Sequence, residues 1–218
     1  MKRIIIICEG QTEKQFCNDI LSPFFLNYDI YLVAPLIKHS LGGIVPWNLL
    51  LKQITTHLKS DSSAYVTSFI DYYGIKDSFG FPLWEESKRI SDINDRVTAL
   101  EKAMRNSVDE EERMRFLPYL QLHEFEALLF SNIDIYKDII PAEDLIDVKY
   151  LTKTERDFDN PELINSSSQT SPSHRLERII KGYDKIVYGT YIADCIGLNR
   201  IRERCPRFNK WIENLINI

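Results

Sequence analysis

The chain has 218 residues, enough for one compact domain or for a domain with an appended helical region. Hydrophobic residues make up 44% of it and charged residues 27%, as in ordinary globular proteins, so it needs neither disulfide bonds nor a structural metal to fold. The formal net charge of -5 excludes a generally basic surface. Contact with nucleic acid would therefore depend on local Lys and Arg side chains or on metal bridging to phosphate.

Cysteine spacing and hydropathy exclude several other classes of protein. The four cysteines form no C-x-x-C pair, so we expect reduced thiols and no zinc site. The apolar run that follows the basic first residues is only Ile4–Cys8, which is too short for a secretory signal. No stretch approaches the ~20 apolar residues of a membrane span. We expect a cytoplasmic protein that does not contact membranes.

Strands and helices are predicted to alternate over the first part of the chain. Ile4–Cys8 is typical of a strand buried on both faces, and Thr12 is a suitable N-cap for the helix after it. A second strand is predicted over Ile30–Ile37, where Pro35 limits its length. The further predicted elements are a helix from Pro46 to about Lys59, a strand at Tyr65–Ile70, a helix at Ile93–Asn106 and a strand at Arg115–Leu122. This order predicts an α/β fold with a mostly parallel, Rossmann-like sheet flanked by helices.

The pattern changes after about residue 134, where short helical segments alternate with polar stretches. The polar stretch Asn165–Ser173 predicts a flexible lid or linker. Two closing helices are predicted, at His174–Lys181 and at Thr190–Leu215, the second interrupted near Pro206. We therefore divide the chain into an α/β part, residues 1–133, and a helical C-terminal extension, residues 134–218, with a single domain as the alternative.

Acidic residues follow three of the four predicted strands. Glu9 follows the first strand, Asp71 the third, and Glu124 and Glu126 the fourth, while Glu13 completes an E-G-x-x-E sequence with Glu9. Because ligands collect at the carboxyl ends of strands in open α/β sheets, we expect these acids to converge. Their mutual repulsion would be offset by a hard divalent cation, for which carboxylate oxygens are suitable ligands. The predicted metal ligands are Glu9, Glu13, Asp71 and Glu126, and all five acids are candidate catalytic residues.

Several of these acids also have a structural alternative, although Glu9, directly after a fully apolar strand, is poorly placed for simple solvation. Glu13 could complement the dipole of the helix that it begins, and Asp71 could be a turn aspartate before Gly74. One of the acids after His123 could cap a helix, while His123 and Glu126 would share a helical face. Arg175 and Lys185 are the candidate phosphate-binding residues, although basic residues more often lie on a solvated helix face.

Several segments resemble known families. Glu9–Glu13 after an Ile-rich strand, together with Phe69–Gly74, is similar to the two metal motifs of the TOPRIM fold, found in topoisomerases, primases and overcoming-lysogenization-defect (OLD) nucleases. Leu120–Phe130, Ser171–Glu177 and the later Ile196–Leu198 and Cys205–Phe208 resemble the bacterial family of domain-of-unknown-function 4276 (DUF4276). This second resemblance covers nearly the whole chain.

The TOPRIM resemblance implies particular roles for the acids. Glu9 takes the place of the glutamate after the first strand, and Asp71 that of the first aspartate of an Asp-x-Asp motif. The second aspartate position holds Tyr73, so one ligand of the pattern is missing. Glu13 or an acid of the His123–Glu126 segment would have to replace it if two metal ions bind. The nuclease branch of the fold favours Glu13.

The function that we expect from these observations is Mg²⁺- or Mn²⁺-dependent hydrolysis of phosphodiester bonds in DNA or RNA. The resemblance further implies an effector of a bacterial antiviral defence system with an ABC- or AAA-type ATPase as its partner. An alternative, motivated by Tyr73, is a non-catalytic interaction or sensor subunit of an ATPase complex. Phosphotransfer on a nucleotide, as in a primase-like site, is a third possibility. The chain lacks the G-x-x-x-x-G-K-[ST] sequence of a nucleotide-hydrolysing P-loop.

Overall fold

The structure is a computed structural model that describes residues 1–40, 43–165 and 168–218. The chain forms two compact units, Met1–Leu120 (unit 1) and Gln121–Ile218 (unit 2). The boundary between the units lies upstream of residue 133, the predicted end of the α/β part. Over the described ranges, every helix is too short or too polar to cross a bilayer.

A five-stranded, mostly parallel sheet confirms the predicted α/β fold. The strands are β1 Lys2–Cys8, β2 Ile30–Val33, β3 Ala64–Asp71, β4 Phe116–Leu117 and β5 Leu120–Gln121. Their order is β2-β1-β3-β4, and β5 also pairs with β3. The central strand β1 runs parallel to both β2 and β3, with Cys8 opposite Phe69. This register brings the carboxyl ends of β1 and β3 to the same edge of the sheet.

Burial explains why the first strand has its apolar sequence. Ile4, Ile6, Ile7 and Cys8 are fully buried, as expected for a parallel strand with neighbours on both sides and covered faces. The next strand is shorter than predicted, because regular pairing of β2 ends before Pro35. The backbone continues beside β1 nevertheless: the Cys8 N–H donates to the Pro35 carbonyl at 2.9 Å.

Helices and helical turns connect the strands of unit 1. They are α1 Gln11–Phe16, a π-helix at Cys17–Leu21, α2 Ser22–Leu26, α3 Trp47–Ser60, 3₁₀ turns at Tyr72–Gly74 and Asp77–Phe79, α4 Trp84–Ser87, α5 Ile93–Asn106 and α6 Glu110–Arg113. The helices predicted after Pro46 and at Ile93 are confirmed. Thr12 is not the N-cap of α1; that position belongs to Gly10, and Thr12 lies buried in the first turn.

Unit 2 is helical. Its elements are a 3₁₀ helix at Phe125–Ser131, α7 Tyr136–Ile139, α8 Val148–Asp157, 3₁₀ turns at Pro161–Leu163 and Ser168–Thr170, α9 Pro172–Ile179, α10 Lys185–Ile196, α11 Leu198–Arg204 and α12 Pro206–Ile216. The predicted helical C-terminal region is therefore confirmed. Part of the predicted lid or linker, residues 166–167, lies outside the described residues.

Two predicted elements are wrong in detail, each at a residue that breaks regular structure. In place of the strand predicted at Arg115–Leu122, the structure has two two-residue strands, β4 and β5. Pro118 and Tyr119 separate them, because proline has no N–H to donate to a neighbouring strand. The single helix predicted at Thr190–Leu215 is divided in the structure among three helices, α10, α11 and α12. Gly197, with φ of 81°, separates the first two, and Pro206 begins the third.

A buried carboxylate holds the start of the last helix in unit 2. Glu162 is fully buried, and its two oxygens accept the backbone N–H groups of Arg207 (2.8 Å) and Phe208 (3.0 Å) in the first turn of α12. Burial raises the pKa of Glu162 to about 7, although these two hydrogen bonds act in the opposite direction. The carboxyl group therefore keeps its proton to a higher pH in the folded state than in the unfolded state.

This difference predicts a pH-dependent stability. Because the folded-state pKa of Glu162 is raised, its contribution is fully present below the ordinary glutamate pKa and is lost as the pH rises through about 7. Between pH 5 and pH 8 the free energy of unfolding should fall by about 1–3 kcal/mol more in the wild type than in Glu162→Gln. Urea unfolding of both proteins across this range measures the difference. Parallel pH profiles would contradict the prediction.

Candidate functional site

The carboxyl edge of the unit 1 sheet brings Glu9 and Asp71 together. The Glu9 N–H donates to the Phe69 carbonyl at 3.1 Å, which continues the β1–β3 pairing by one residue. The Glu9 side chain then turns towards β3, where Oε2 accepts the backbone N–H of Asp71 at 2.9 Å. The two acids therefore lie side by side at the ends of adjacent parallel strands, as the sequence predicted.

Glu13 belongs to the same turn. Its Oε2 accepts the Gly10 N–H at 2.8 Å, and the Glu13 side chain is almost fully buried. This is one half of a capping box, in which the third helical residue accepts the N-cap N–H; Gly10 has no side chain to form the other half. It gives Glu13 the helix-start role that the sequence left open, and it also fixes the direction of the carboxylate. A metal-binding role for Glu13 stays a prediction.

Close packing against glycines constrains these two carboxylates. A Cβ atom at Gly74 would lie 3.2 Å from Oε1 of Glu9, and one at Gly10 would lie 3.1 Å from Oε2 of Glu13. Either distance is tighter than ordinary contact, so the glycines leave room for the carboxylates. Tyr73 lies in the 3₁₀ turn after Asp71, with 44% of its surface exposed. The residue that the resemblance compares with the second aspartate of the TOPRIM motif is therefore a partly exposed aromatic side chain.

The predicted acids of unit 2 lie around its first helical segment. The prediction that His123 and Glu126 share a helical face is wrong. His123 precedes the 3₁₀ helix and has a left-handed backbone, with φ of 62°. Its Nδ1 lies 3.1 Å from Nδ2 of Asn165. Oε2 of Glu124 accepts the Ser173 N–H at 2.8 Å in the first turn of α9. Glu126 lies within the 3₁₀ helix and is 3% exposed.

The first turn of α9 holds further polar contacts. Ser171 is the N-cap residue, and its hydroxyl lies 2.9 Å from Nδ1 of His174 and 3.1 Å from the Ser173 hydroxyl.

Burial lowers the pKa of His123 to about 4, although the Glu124 carboxylate acts in the opposite direction. The His123 imidazole is therefore neutral at physiological pH.

Comparison with known sequences identifies the chain. A family model described as domain of unknown function DUF4276 matches residues 8–216. The chain belongs to the DUF4276 family. No curated protein and no solved structure matches it at a significant level. The match extends over both units, including Glu9 and Asp71 in unit 1 and Glu124 and Glu126 in unit 2.

The described side chains of this DUF4276 chain do not form a closed metal-binding cage. Among the described residues, no three or more His, Cys, Asp or Glu side chains are arranged to hold a metal ion. Mg²⁺, however, is commonly bound by one or two carboxylates that are completed by water and substrate phosphate oxygens. A metal-binding role for Glu9 and Asp71 stays a prediction.

The two candidate phosphate-binding residues have different surroundings. Arg175 is 7% exposed; its guanidinium donates to the Thr170 carbonyl (2.8 Å) and to the Thr154 hydroxyl (3.0 Å), and lies over the rings of Tyr150 and Phe158. Arg175 therefore has a packing role inside unit 2 that its sequence context does not indicate, and phosphate binding by Arg175 stays a prediction. Lys185 is exposed at the first position of α10, where a phosphate contact stays a prediction.

Sequence reasoning missed the neutral residues around the acids. Gly74 belongs to the Phe69–Gly74 segment, which the sequence singles out as a candidate metal motif. Nothing in the sequence indicates, however, that the missing Cβ of Gly74 makes room for Glu9. Asn165 belongs to a polar stretch that resembles an ordinary loop. Ser173 contributes only its backbone N–H to Glu124, and any residue other than proline could do so. Such contacts depend on the tertiary fold.

The packing role of Arg175 can be tested by stability. Arg175→Met keeps an apolar stem but removes the donors to Thr154 and Thr170, so the free energy of unfolding should fall by about 2–4 kcal/mol. The control is Arg178→Met on the same helix, whose largely exposed side chain pairs with Asp147 and should cost less than about 1 kcal/mol. Urea unfolding measures both. Equal effects of the two substitutions would contradict this role.

Proposed function

We propose that this protein is a Mg²⁺- or Mn²⁺-dependent hydrolase of phosphodiester bonds in nucleic acid. The observation that carries the proposal is the contact between Oε2 of Glu9 and the Asp71 N–H, 2.9 Å long, at the shared edge of two parallel strands. Crevices at the carboxyl ends of strands are the usual ligand sites of open α/β sheets. Two adjacent acids at that position are suited to a hard cation and its phosphate ligand.

Glu9 and Asp71 would hold the metal ion, with Glu13 as a further ligand. All three offer carboxylate oxygens, the donors that Mg²⁺ prefers, and one oxygen each of Glu9 and Glu13 accepts a backbone N–H. These hydrogen bonds orient the carboxylates before a substrate arrives, so little ordering is needed when it binds. A bound Mg²⁺ supplies a Lewis acid and a water molecule of lowered pKa. Roles for Glu124 and Glu126 in the same chemistry stay predictions.

The charge of the chain bears on how a nucleic acid would bind. With a formal net charge of -5, attraction cannot come from the whole protein, so metal bridging and local bases must supply it. Lys185 is the exposed base that we assign to phosphate contact. The TOPRIM and OLD-nuclease relationship, a cytoplasmic location, an ATPase partner of the ABC or AAA type and a role in antiviral defence belong to this proposal through the resemblance described above.

One observation favours a second candidate, a non-catalytic interaction subunit. Tyr73 replaces an expected ligand and is 44% exposed, as a residue at a docking surface would be. If the site has lost its chemistry, neither Mg²⁺ nor Mn²⁺ should bind at Glu9 and Asp71. Metal affinity therefore distinguishes the two candidates before any substrate is known.

The direct test removes charge at the two acids without changing their shape. Glu9→Gln and Asp71→Asn should each weaken Mn²⁺ binding by about tenfold or more and lower cleavage by about 10²-fold, because each removes a negative ligand. Calorimetry gives the affinity, and single- and double-stranded DNA and RNA serve as substrates. The matched control is Asp19→Asn, an exposed acid of the π-helix. Undiminished cleavage by both Glu9 and Asp71 variants would contradict the proposal.

A second variant tests geometry without removing a ligand. Gly74→Ala places a methyl group 3.2 Å from Oε1 of Glu9 and 3.6 Å from the Ile44 side chain, so the Glu9 carboxylate must shift by a few tenths of an ångström. Mn²⁺ affinity should fall by about threefold to tenfold, with a stability cost below about 1 kcal/mol. Calorimetry and urea unfolding measure the two quantities. Wild-type affinity would show that Glu9 does not bind the metal in this position.

A further inference from the structure

The outer face of α8 in unit 2 is basic. Its exposed side chains Lys149, Lys153 and Arg156 follow one another at helical spacing, so they lie on the same side of the helix. Together with Val148 and Thr152 they line an open groove of about 270 Å³. We call the three bases the basic face of α8. Metal-dependent hydrolysis in unit 1 uses none of them.

Acidic side chains neutralise this basic face only in part. Lys153 forms an ion pair with Asp157, whereas Lys149 and Arg156 form none among the described residues. The other acid of α8, Glu155, pairs with an arginine of α11. Because ion pairs between exposed side chains are weak, Lys153 can exchange its partner for another anion. The basic face therefore keeps a net positive charge in a chain that is negative as a whole.

Arginines of α9 add positive charge beside this face. The guanidinium of Arg178 lies over the Tyr150 ring, 3.9 Å from its centroid, and the largely exposed side chain also pairs with Asp147. The guanidinium of Arg175 lies 5.4 Å from the centroid of the same ring. Since Tyr150 directly follows Lys149 in α8, both guanidinium groups lie at the margin of the basic face.

The buried charge of Arg175 has no acid partner. Its guanidinium donates to the Thr170 carbonyl (2.8 Å) and to the Thr154 hydroxyl (3.0 Å), which are both neutral, and forms no ion pair in the part of the chain that the structure describes. Buried charges are normally paired, because their removal from water is costly. Salt screens a buried charge less than an exposed one. Arg175 therefore adds a lasting positive potential to this part of unit 2.

The arrangement of the bases favours a chain of phosphates over a single anion or a membrane. Lys149 and Arg156 are about 10 Å apart along the helix axis, roughly the rise of three nucleotides in one strand of duplex DNA. Bases in a row do not converge on one point, as a site for a single phosphate would require. Membrane-binding helices insert an apolar face, whereas Leu151 of α8 is buried in unit 2 and Thr152, between the bases, is polar.

We infer that the basic face of α8, with Arg178 beside it, binds the phosphate backbone of a nucleic acid. Lys149, Lys153 and Arg156 contact neighbouring phosphates, and Arg178 exchanges its weak pair with Asp147 for a further one. Contacts with phosphate do not depend on base sequence, and they weaken as the salt concentration rises. This surface rests on the proposed function, to which it adds a part of unit 2 that holds the same class of substrate.

Fluorescence anisotropy with a labelled DNA or RNA oligonucleotide, single-stranded or duplex, measures this contact on the full chain. Excess EDTA removes divalent ions, so binding is measured separately from any metal in unit 1. Lys149→Gln, Lys153→Gln and Arg156→Gln, combined in one protein, should weaken binding by about 10²-fold at low salt. The salt dependence, the slope of log K against log salt concentration, should fall by about 2–3 for duplex DNA, because three phosphate contacts are lost. Arg178→Gln alone should weaken binding by about threefold.

A matched control removes the same amount of charge elsewhere. It combines Lys102→Gln, Lys137→Gln and Lys210→Gln, at exposed positions on α5, α7 and α12. Binding should weaken by less than about threefold, and the salt dependence should stay as in the wild type. All six substitutions replace exposed side chains, so the Tm of both triple variants should stay within about 2 °C of the wild type.

Three results would overturn this assignment of α8. The first is that the wild type binds neither DNA nor RNA at low salt in EDTA, and the second is equal weakening by the two triple variants. The third is tighter binding of phosphatidylserine-containing vesicles or of a polyglutamate peptide that the α8 triple variant loses, which would assign the face to a membrane or to an acidic protein.

The proposed hydrolase is tested separately, by the Mn²⁺ affinity and the cleavage activity of the Glu9 and Asp71 variants. Metal binding and cleavage that depend on these acids, with nucleic acid bound equally well by the α8 triple variant, would refute the α8 surface alone. Binding of nucleic acid through α8 by a protein without affinity for Mn²⁺ would refute the hydrolase and support the α8 surface.

Discussion

The parallel pairing of β1 with β3 is the constraint on which the candidate site depends. A register that sets Cys8 opposite Phe69 leaves Glu9 next to the end of β3, and the Glu9 side chain binds the Asp71 backbone. A shift of one residue would turn Asp71 and its neighbours to the opposite faces of the sheet. The side chains of β1 are buried on both faces from Ile4 to Cys8, so such a shift would force both sides of a close-packed core to repack. Core packing and site geometry are thus determined by the same residues.

Carboxylates in this protein repeatedly hold the beginnings of helices. Glu13 accepts the Gly10 N–H before α1, Glu124 accepts the Ser173 N–H in α9, and Glu162 accepts two N–H groups in α12. The first turn of a helix has unsatisfied N–H donors and a partial positive charge, and both favour the ionised carboxylate of each acid. The acids differ in burial, however. Glu162 is closed off inside unit 2, whereas Glu124 is partly exposed and can still meet a ligand.

The sequence predicts the parallel sheet and the helical character of unit 2, but not the local conformations and side-chain contacts within unit 2, for physical reasons. The β-branched run at Ile4–Ile7 specifies a buried strand locally, and the acids that follow the strands inherit their position from it. His123 shows the opposite case: the pattern around it indicates a regular helix, but the chain turns through a left-handed backbone and continues as a 3₁₀ helix. Arg175 resembles a surface base in sequence, and only the folded contacts with Thr154 and the two aromatic rings reveal its burial. Contacts between residues distant in sequence cannot be obtained from local patterns.

The short strand β2 has a consequence for how copies of this protein behave at high concentration. It lies at the end of the strand order, spans four residues, and has Tyr31 and Val33 exposed to solvent. A second polypeptide that paired with this edge strand would find few free backbone groups, and Pro35, two residues after the end of β2, has no N–H to donate. Sheet extension from one molecule to the next is therefore discouraged at this margin, which favours solubility even though two apolar side chains are in water.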